Sequence, residues 1–135
     1  MKQLKVKLGT MSAIHRELYG NPVLKTEGLL KANLNLKAKY LLHIMAVDFE
    51  KHLKFVETQQ KELLENYGSK DSEGRFLYTI ETISPDYPKY EQEMAKVFDI
   101  EHDIALPEIS IDIFDGVSSD EYYPSLFNLI IEIGK

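Results

Sequence analysis

The stretch "LLHIMAVDFEKHLKFVETQQKELLENYG", Leu41 to Gly68, decides how the rest of the chain is read. Within it Leu42, Ala46, Phe49, Leu53, Val56, Gln60, Leu63 and Tyr67 recur at alternating steps of four and three. Residues at those steps lie on one face of an α-helix, so the pattern predicts a long amphipathic helix with a coiled-coil-like stripe. The other side carries Glu50–Lys54 and Glu57–Lys61, acid before base at i,i+4, which suits an exposed helical face. Met45 and His52 widen the stripe, and Leu34, Ala38 and Leu41 extend it backwards, so the helix is expected from about Ala32 to about Tyr67. At ~1.5 Å of rise per residue it would be near 50 Å long, more than the diameter of a domain of this size. Part of the stripe would then project or meet another molecule. Phe49, Leu53, Val56 and Leu63 are accordingly the candidates for self-association, and a homodimer is one expectation.

Upstream, Leu4, Val6 and Leu8 alternate with Lys5 and Lys7, the period of a half-buried strand, which Gly9-Thr10 ends. Met11, Ile14 and Leu18 then fall at helical spacing behind a Thr10 N-cap, and Gly20 and Pro22 close that helix. Downstream, Gly68 ends the long helix and "KDSEG", Lys70 to Gly74, supplies turn chemistry. A calcium loop with Gly74 at its sixth place would put Ser69 first and Ile80 twelfth, where carboxylates are required, so the stretch reads as a corner. "RFLYTIETI", Arg75 to Ile83, has the aromatic and β-branched content of a strand. Ser84 to Asp86 opens a further helix with Pro85 in its first turn, and Tyr87, Tyr90, Met94, Val97 and Phe98 mark its inner face. Ile104, Leu106, Ile109, Ile111 and Ile113 read as a strand with a bend at Pro107-Glu108. "SLFNLIIEIG", Ser125 to Gly134, reads as a closing helix with Pro124 near its start.

These elements predict a single α+β domain over 1–135: one long amphipathic helix and about three shorter helices packed with a small β-sheet. The sheet is expected from segments near Leu4–Leu8, Phe76–Thr82 and Ile104–Ile113. Leu42, Phe49, Leu53, Val56, Phe76, Tyr78, Val97, Phe98, Ile109, Ile111, Leu126 and Leu129 are the expected core.

The chain has no Cys, which excludes thiolate zinc sites, iron–sulfur clusters and cysteine nucleophiles and suits a cytoplasmic protein. No apolar run approaches the ~18 residues of a membrane span. The start, "MKQLKVKLGT", lacks the apolar block of a signal peptide. Asp48 and His52 stand at a spacing that suits two ligands of one metal, but no second His–carboxylate pair accompanies them. There is no G-x-S-x-G, no phosphate-cradling glycine loop and no dinucleotide fingerprint. No catalytic, metal or cofactor site is expected, and the chain is not expected to be an enzyme.

Net charge is −6 and unevenly spread: from Met1 to Val47 eight Lys and Arg stand against two acids, and beyond Val47 eight stand against twenty. Lys25, Lys31, Lys37 and Lys39 suit a phosphate-contacting face, yet few aromatics interleave with them and the pI is near 5.2. Direct nucleic-acid binding is therefore set aside. From Phe76 onward thirteen acids face three lysines. Asp99, Glu101, Asp103, Glu108, Asp112, Asp115, Asp120 and Glu121 are the candidate partner-binding residues, because a dense acidic surface competes for basic grooves. The plainer alternative is that both halves fold together and neutralise each other.

The succession "KAKYLLHIMAVDFEKHLKFVETQQKELLENYG", the "KDSEG" corner, "YPKYEQEMAKVF", "EHDIALPEISIDIFDG" and the closing helix resembles a family of small uncharacterised proteins from tailed phages and prophages of Gram-positive bacteria. The resemblance implies phage origin and action in the cytoplasm of an infected host cell. It carries no catalytic residues. The expected function is that of a non-enzymatic accessory protein that binds a host or phage protein. Its leading form inhibits or redirects a host defence or nucleic-acid-processing protein through the acidic surface. One alternative is a tail or capsid assembly factor docking through the long helix; another is a metal- or carboxylate-dependent hydrolase.

Overall fold

Alternating lysine and apolar residues make β1 (Lys2–Lys7), and its partner is β4 (Glu101–Leu106). The computed structural model, which describes residues 2–21, 26–31, 34–110, 112 and 123–134, pairs them antiparallel from Lys2 opposite Leu106 to Lys7 opposite Glu101. Directly opposite residues share a face. Leu4, Val6, Ile104 and Leu106 therefore turn toward the helices, and Gln3, Lys5, Lys7, Glu101 and Asp103 toward solvent. The chain passes straight from β1 into α1 (Leu8–Tyr19). Thr10 does not cap this helix. It begins at Leu8, three residues before the expected Met11, and its first N–H, on Leu8, donates to the Ile100 carbonyl at 2.9 Å. A tertiary acceptor thus satisfies one of the orphan donors of the first turn. Gly20 closes α1 with φ 95°, and its neighbours form a short ribbon of β2 (Gly20–Asn21) with β3 (Thr26–Glu27).

The long helix, α2, runs Leu36–Tyr67. Asn35 starts it, its side-chain oxygen accepting from the Ala38 N–H at 2.8 Å. Its inward face is the expected stripe with small shifts: Ala38, Leu42, Met45, Ala46, Phe49, Val56 and Leu64 are buried, Leu53 and Leu63 partly so. Three shorter helices complete the described α structure: α1, α3 (Tyr87–Phe98) and α4 (Pro124–Ile133). The fold is α+β, with one core cluster that joins Met11, Ile14 and Leu18 of α1 to the α2 stripe, Met94 and Val97 of α3, Ile104 and Leu106 of β4, and Leu126, Leu129 and Ile130 of α4. Pro88, not Pro85, lies in the first turn of α3, because Ser84 to Tyr87 is held as a separate turn by the Tyr87 N–H to Ser84 carbonyl bond.

The sheet departs from expectation in one strand. Phe76–Thr82 does not join β1 and β4; among the described residues its ladder contact is a single bridge, Lys70 with Phe76, and Phe76 and Tyr78 are exposed rather than core. β4 ends before Pro107, with Ile109 buried beyond it; Ile111 and Ile113 lie outside the described residues.

One long-range contact fixes α4. Its own first turn carries no acid and no capping side chain. Instead both carboxylate oxygens of Glu17, on α1, accept from it: Ser125 N–H at 3.2 Å and Leu126 N–H at 2.9 Å. A carboxylate at that end meets two orphan donors and the positive end of the helix dipole.

Phe49→Ala should cost about 3–5 kcal/mol of unfolding free energy, as for a fully buried aromatic, whereas Phe55→Ala on the exposed side should stay within about 0.5 kcal/mol. Urea titration of both variants checks the assignment of faces, and equal losses would refute it. Glu17→Ala should cost about 1 kcal/mol, the usual worth of an N-cap, with hydrogen exchange rising first in α4.

Candidate protein-interaction surface

The proposed acidic face divides once folded. Asp99, Glu101, Asp103, Glu108 and Asp112 are all exposed; Asp115, Asp120 and Glu121 lie outside the described residues. Register places Glu101 opposite Lys7 and Asp103 opposite Lys5, and Lys7 Nζ donates to Asp99 at 2.7 Å. That hydrogen bond, more than the charge itself, raises the Lys7 pKa above its ordinary value. On the β1–β4 ladder, then, lysines lie opposite carboxylates, which offsets part of the acidic charge there.

The stripe residues behave differently from the self-association expectation. Phe49 and Val56 are buried in the chain's own core, and Leu53 and Leu63 pack against it. Only unfolding would present Phe49 and Val56 to a second copy.

A more distinctive surface follows the C-terminus of α2. Gly68 turns the chain where a Cβ would fall 2.3 Å from the Leu64 carbonyl oxygen and 2.7 Å from that of Thr79, so no other residue fits without shifting backbone. Residues 69–79 then double back as a hairpin. Ser69 N–H donates to the Thr79 carbonyl at 2.8 Å, and Leu77 N–H to the Ser69 carbonyl at 3.0 Å. Its tip is an Asx-type turn in which one Asp71 carboxylate oxygen accepts from the Glu73 and Arg75 N–H groups, both at 2.9 Å. Arg75 adds ion pairs to Asp71 and Glu73.

This frame holds Phe76, Leu77 and Tyr78 outward, Leu77 at 50% and Tyr78 at 42% exposure. Tyr78 has φ 55°, a left-handed backbone that bulky residues rarely adopt. It leans on α2: its hydroxyl donates to Glu65 Oε1 at 3.3 Å, and the Lys61 ammonium lies 5.5 Å from its ring centroid. Lys70 covers Phe76 in the same way at 5.2 Å. Ile83, further along the chain, is exposed as well. Across the whole stretch from Glu57 to Glu93 nine acids stand against four bases. Here Glu91 accepts a hydrogen bond from Tyr87 and so raises that phenol's pKa.

Two histidine arrangements lie elsewhere on the molecule. A groove of about 570 Å³ between α1 and α2 is lined by Ser12, His15, Arg16, Glu50, Lys54 and Phe98 among others. His15 Nε2 lies 3.1 Å from Glu50 Oε1, and its ring stacks on Tyr19, whose pKa is raised by burial first and by Glu50 second. Ser12 shares the groove, but no hydrogen bond joins it to His15 among the described residues. It also sits inside a helix, where neighbouring N–H groups are already bonded and cannot hold an oxyanion. The second arrangement brings His52 of α2 against His102 of β4, ring centroids 4.2 Å apart, a contact the i,i+4 reading of Asp48 and His52 did not anticipate. Among the described residues no three His, Asp or Glu side chains gather as metal ligands would, and no helix is long and apolar enough to cross a membrane.

His52 has its pKa lowered from 6.5, chiefly by burial and next by repulsion from His102 and Lys51, against an opposing pull from Asp48. The unfolded chain therefore binds that proton more readily, and stability should be full above about pH 6.5 and fall as the pH drops through that value. Thermal unfolding between about pH 7 and about pH 5.5 should show a shallower decline in His52→Gln than in the parent; identical slopes would acquit this pair.

Comparison with protein-family models, with curated proteins and with solved structures finds no match to this chain.

Proposed function

We propose that this chain is a non-enzymatic protein-binding protein that docks onto a partner through the aromatic hairpin beyond α2, the acid excess of the stretch from Glu57 to Glu93 favouring a basic one. One observation carries the reading: Phe76, Leu77 and Tyr78 stay exposed on a hairpin whose backbone is pinned at both ends, with Tyr78 in a left-handed conformation. Such a conformation costs of order 1–3 kcal/mol, and it clusters where a surface is used. Exposed aromatic side chains held by a rigid frame are the usual anchors of an interface, since little rotamer freedom is lost when they are covered. The acidic surroundings favour a basic partner by steering encounter and rejecting acidic surfaces. The β4 carboxylates are secondary in this reading because Lys5 and Lys7 oppose them. The resemblance to phage proteins adds the kind of partner: a host protein with a basic nucleic-acid groove, inhibited or redirected in the cytoplasm of an infected cell.

The expected result is stoichiometric capture of one partner from host lysate, weakened by salt and abolished by Phe76→Asp with Leu77→Asp. Glu101→Gln with Asp103→Gln should leave capture intact. Capture that survives loss of the hairpin side chains, or that depends on Glu101 and Asp103 instead, would sink the proposal.

A further inference from the structure

The face of α2 turned away from the core is not uniformly polar. Leu36, Tyr40 and Val47 follow one another at steps of four and seven, opposite Ala38, Leu42, Met45 and Phe49. Leu36 is 85% and Tyr40 65% exposed. His43 is exposed beside them, and Ile44 half-buried. A helix with one neighbour-facing side keeps its other side charged. This one carries a second apolar stripe, in its first half, away from the hairpin that follows its C-terminus.

We propose that two copies of this chain associate through this outer face, with their α2 helices antiparallel. The charges flanking the stripe choose a second copy as the occupant. Lys37 and Lys39 flank its beginning and make no ion pair among the described residues. Asp48 and Glu50 flank its end, Asp48 meeting only Lys51 of its own helix, at 3.6 Å, and Glu50 meeting His15. Setting Tyr40 level with Val47 of the second copy brings His43 level with Ile44. The same alignment runs the Lys37–Lys39 segment alongside the Asp48–Glu50 segment. In this register Tyr40 meets Val47 and the lysines run beside the carboxylates, while Leu36 lies level with the aliphatic stem of Lys51, and a two-fold axis repeats every pair. A parallel alignment would set Lys37 and Lys39 against their own counterparts. Antiparallel helices also oppose their dipoles favourably.

The chain has no Cys, so one introduced thiol reports the register without interference. In this alignment Ile44→Cys lies beside its counterpart and should form a disulfide-linked dimer on mild oxidation. Leu36→Cys should not, because its counterpart lies about 22 Å further along the axis. Light scattering of the parent chain should give twice the 15.6 kDa of one copy. Tyr40→Asp with Val47→Asp should halve that mass while circular dichroism stays unchanged. Lys37→Glu should weaken association roughly tenfold, since symmetry counts the pair twice, and adding Asp48→Lys should restore it. A parent chain monomeric at every concentration, a dimer indifferent to the double substitution, or equal cross-linking at positions 36 and 44 would overturn the assignment.

Discussion

Everything in this molecule is arranged around the fact that a helix of thirty-two residues outruns the core available to it. Apolar side chains recur along its length, but the burial of Leu42, Met45 and Phe49 is complete and that of Leu53 and Leu63 only partial. The first half meets α1, as at His15 and Glu50; the second half meets α3, as at Gln60 and Tyr90, and the returning hairpin through Glu65 and Tyr78. Each fully buried aliphatic or aromatic side chain contributes roughly 2–3 kcal/mol, so the first half anchors the helix most heavily, and Val56 and Leu64 are the buried contacts of the second half.

Pairing of β1 with β4 answers the question that the uneven charge poses. The basic beginning of the chain and part of its acidic remainder are laid side by side, lysine opposite carboxylate. Individual pairs of this kind contribute little at a solvated surface. Their effect is to lower the net charge along the β1–β4 ladder, while the stretch from Glu57 to Glu93 keeps nine acids against four bases. A count of charges along the chain locates the imbalance in the wrong place, since it cannot know which strands become neighbours.

What the sequence made legible follows the range of the forces involved. The α2 stripe, the stop at Gly68, the Gly20 terminus of α1 and the Pro124-to-Gly134 helix all rest on spacing or on the local chemistry of single residues, and they were readable. The features that escaped depend on residues far apart in the chain. Leu8 takes its acceptor from Ile100, and α4 takes its cap from Glu17, more than a hundred residues earlier. "RFLYTIETI" has a strand's composition, but composition expresses fit to a half-buried surface rather than a backbone preference. The segment's backbone partners are the local ones that the turn at Gly68 brings back, Ser69 and Asp71. Tyr78 is the sharpest case: nothing local favours a left-handed tyrosine, and only the hairpin's closure imposes it. His52 and His102 likewise meet through tertiary packing alone.

The β1–β4 ladder also sets an order of events. Lys2 must wait for Leu106, so the β1–β4 ladder is among the most non-local pairings in the described fold and of the slowest kind to form. During synthesis the lysine-rich first strand would leave the ribosome well before any complementary segment exists, while α1 and α2 can already consolidate against each other. Residues 1–90 hold fourteen bases against eleven acids and residues 91–135 two against eleven, so the segment that waits for its partner strand is opposite in charge to the completed fold.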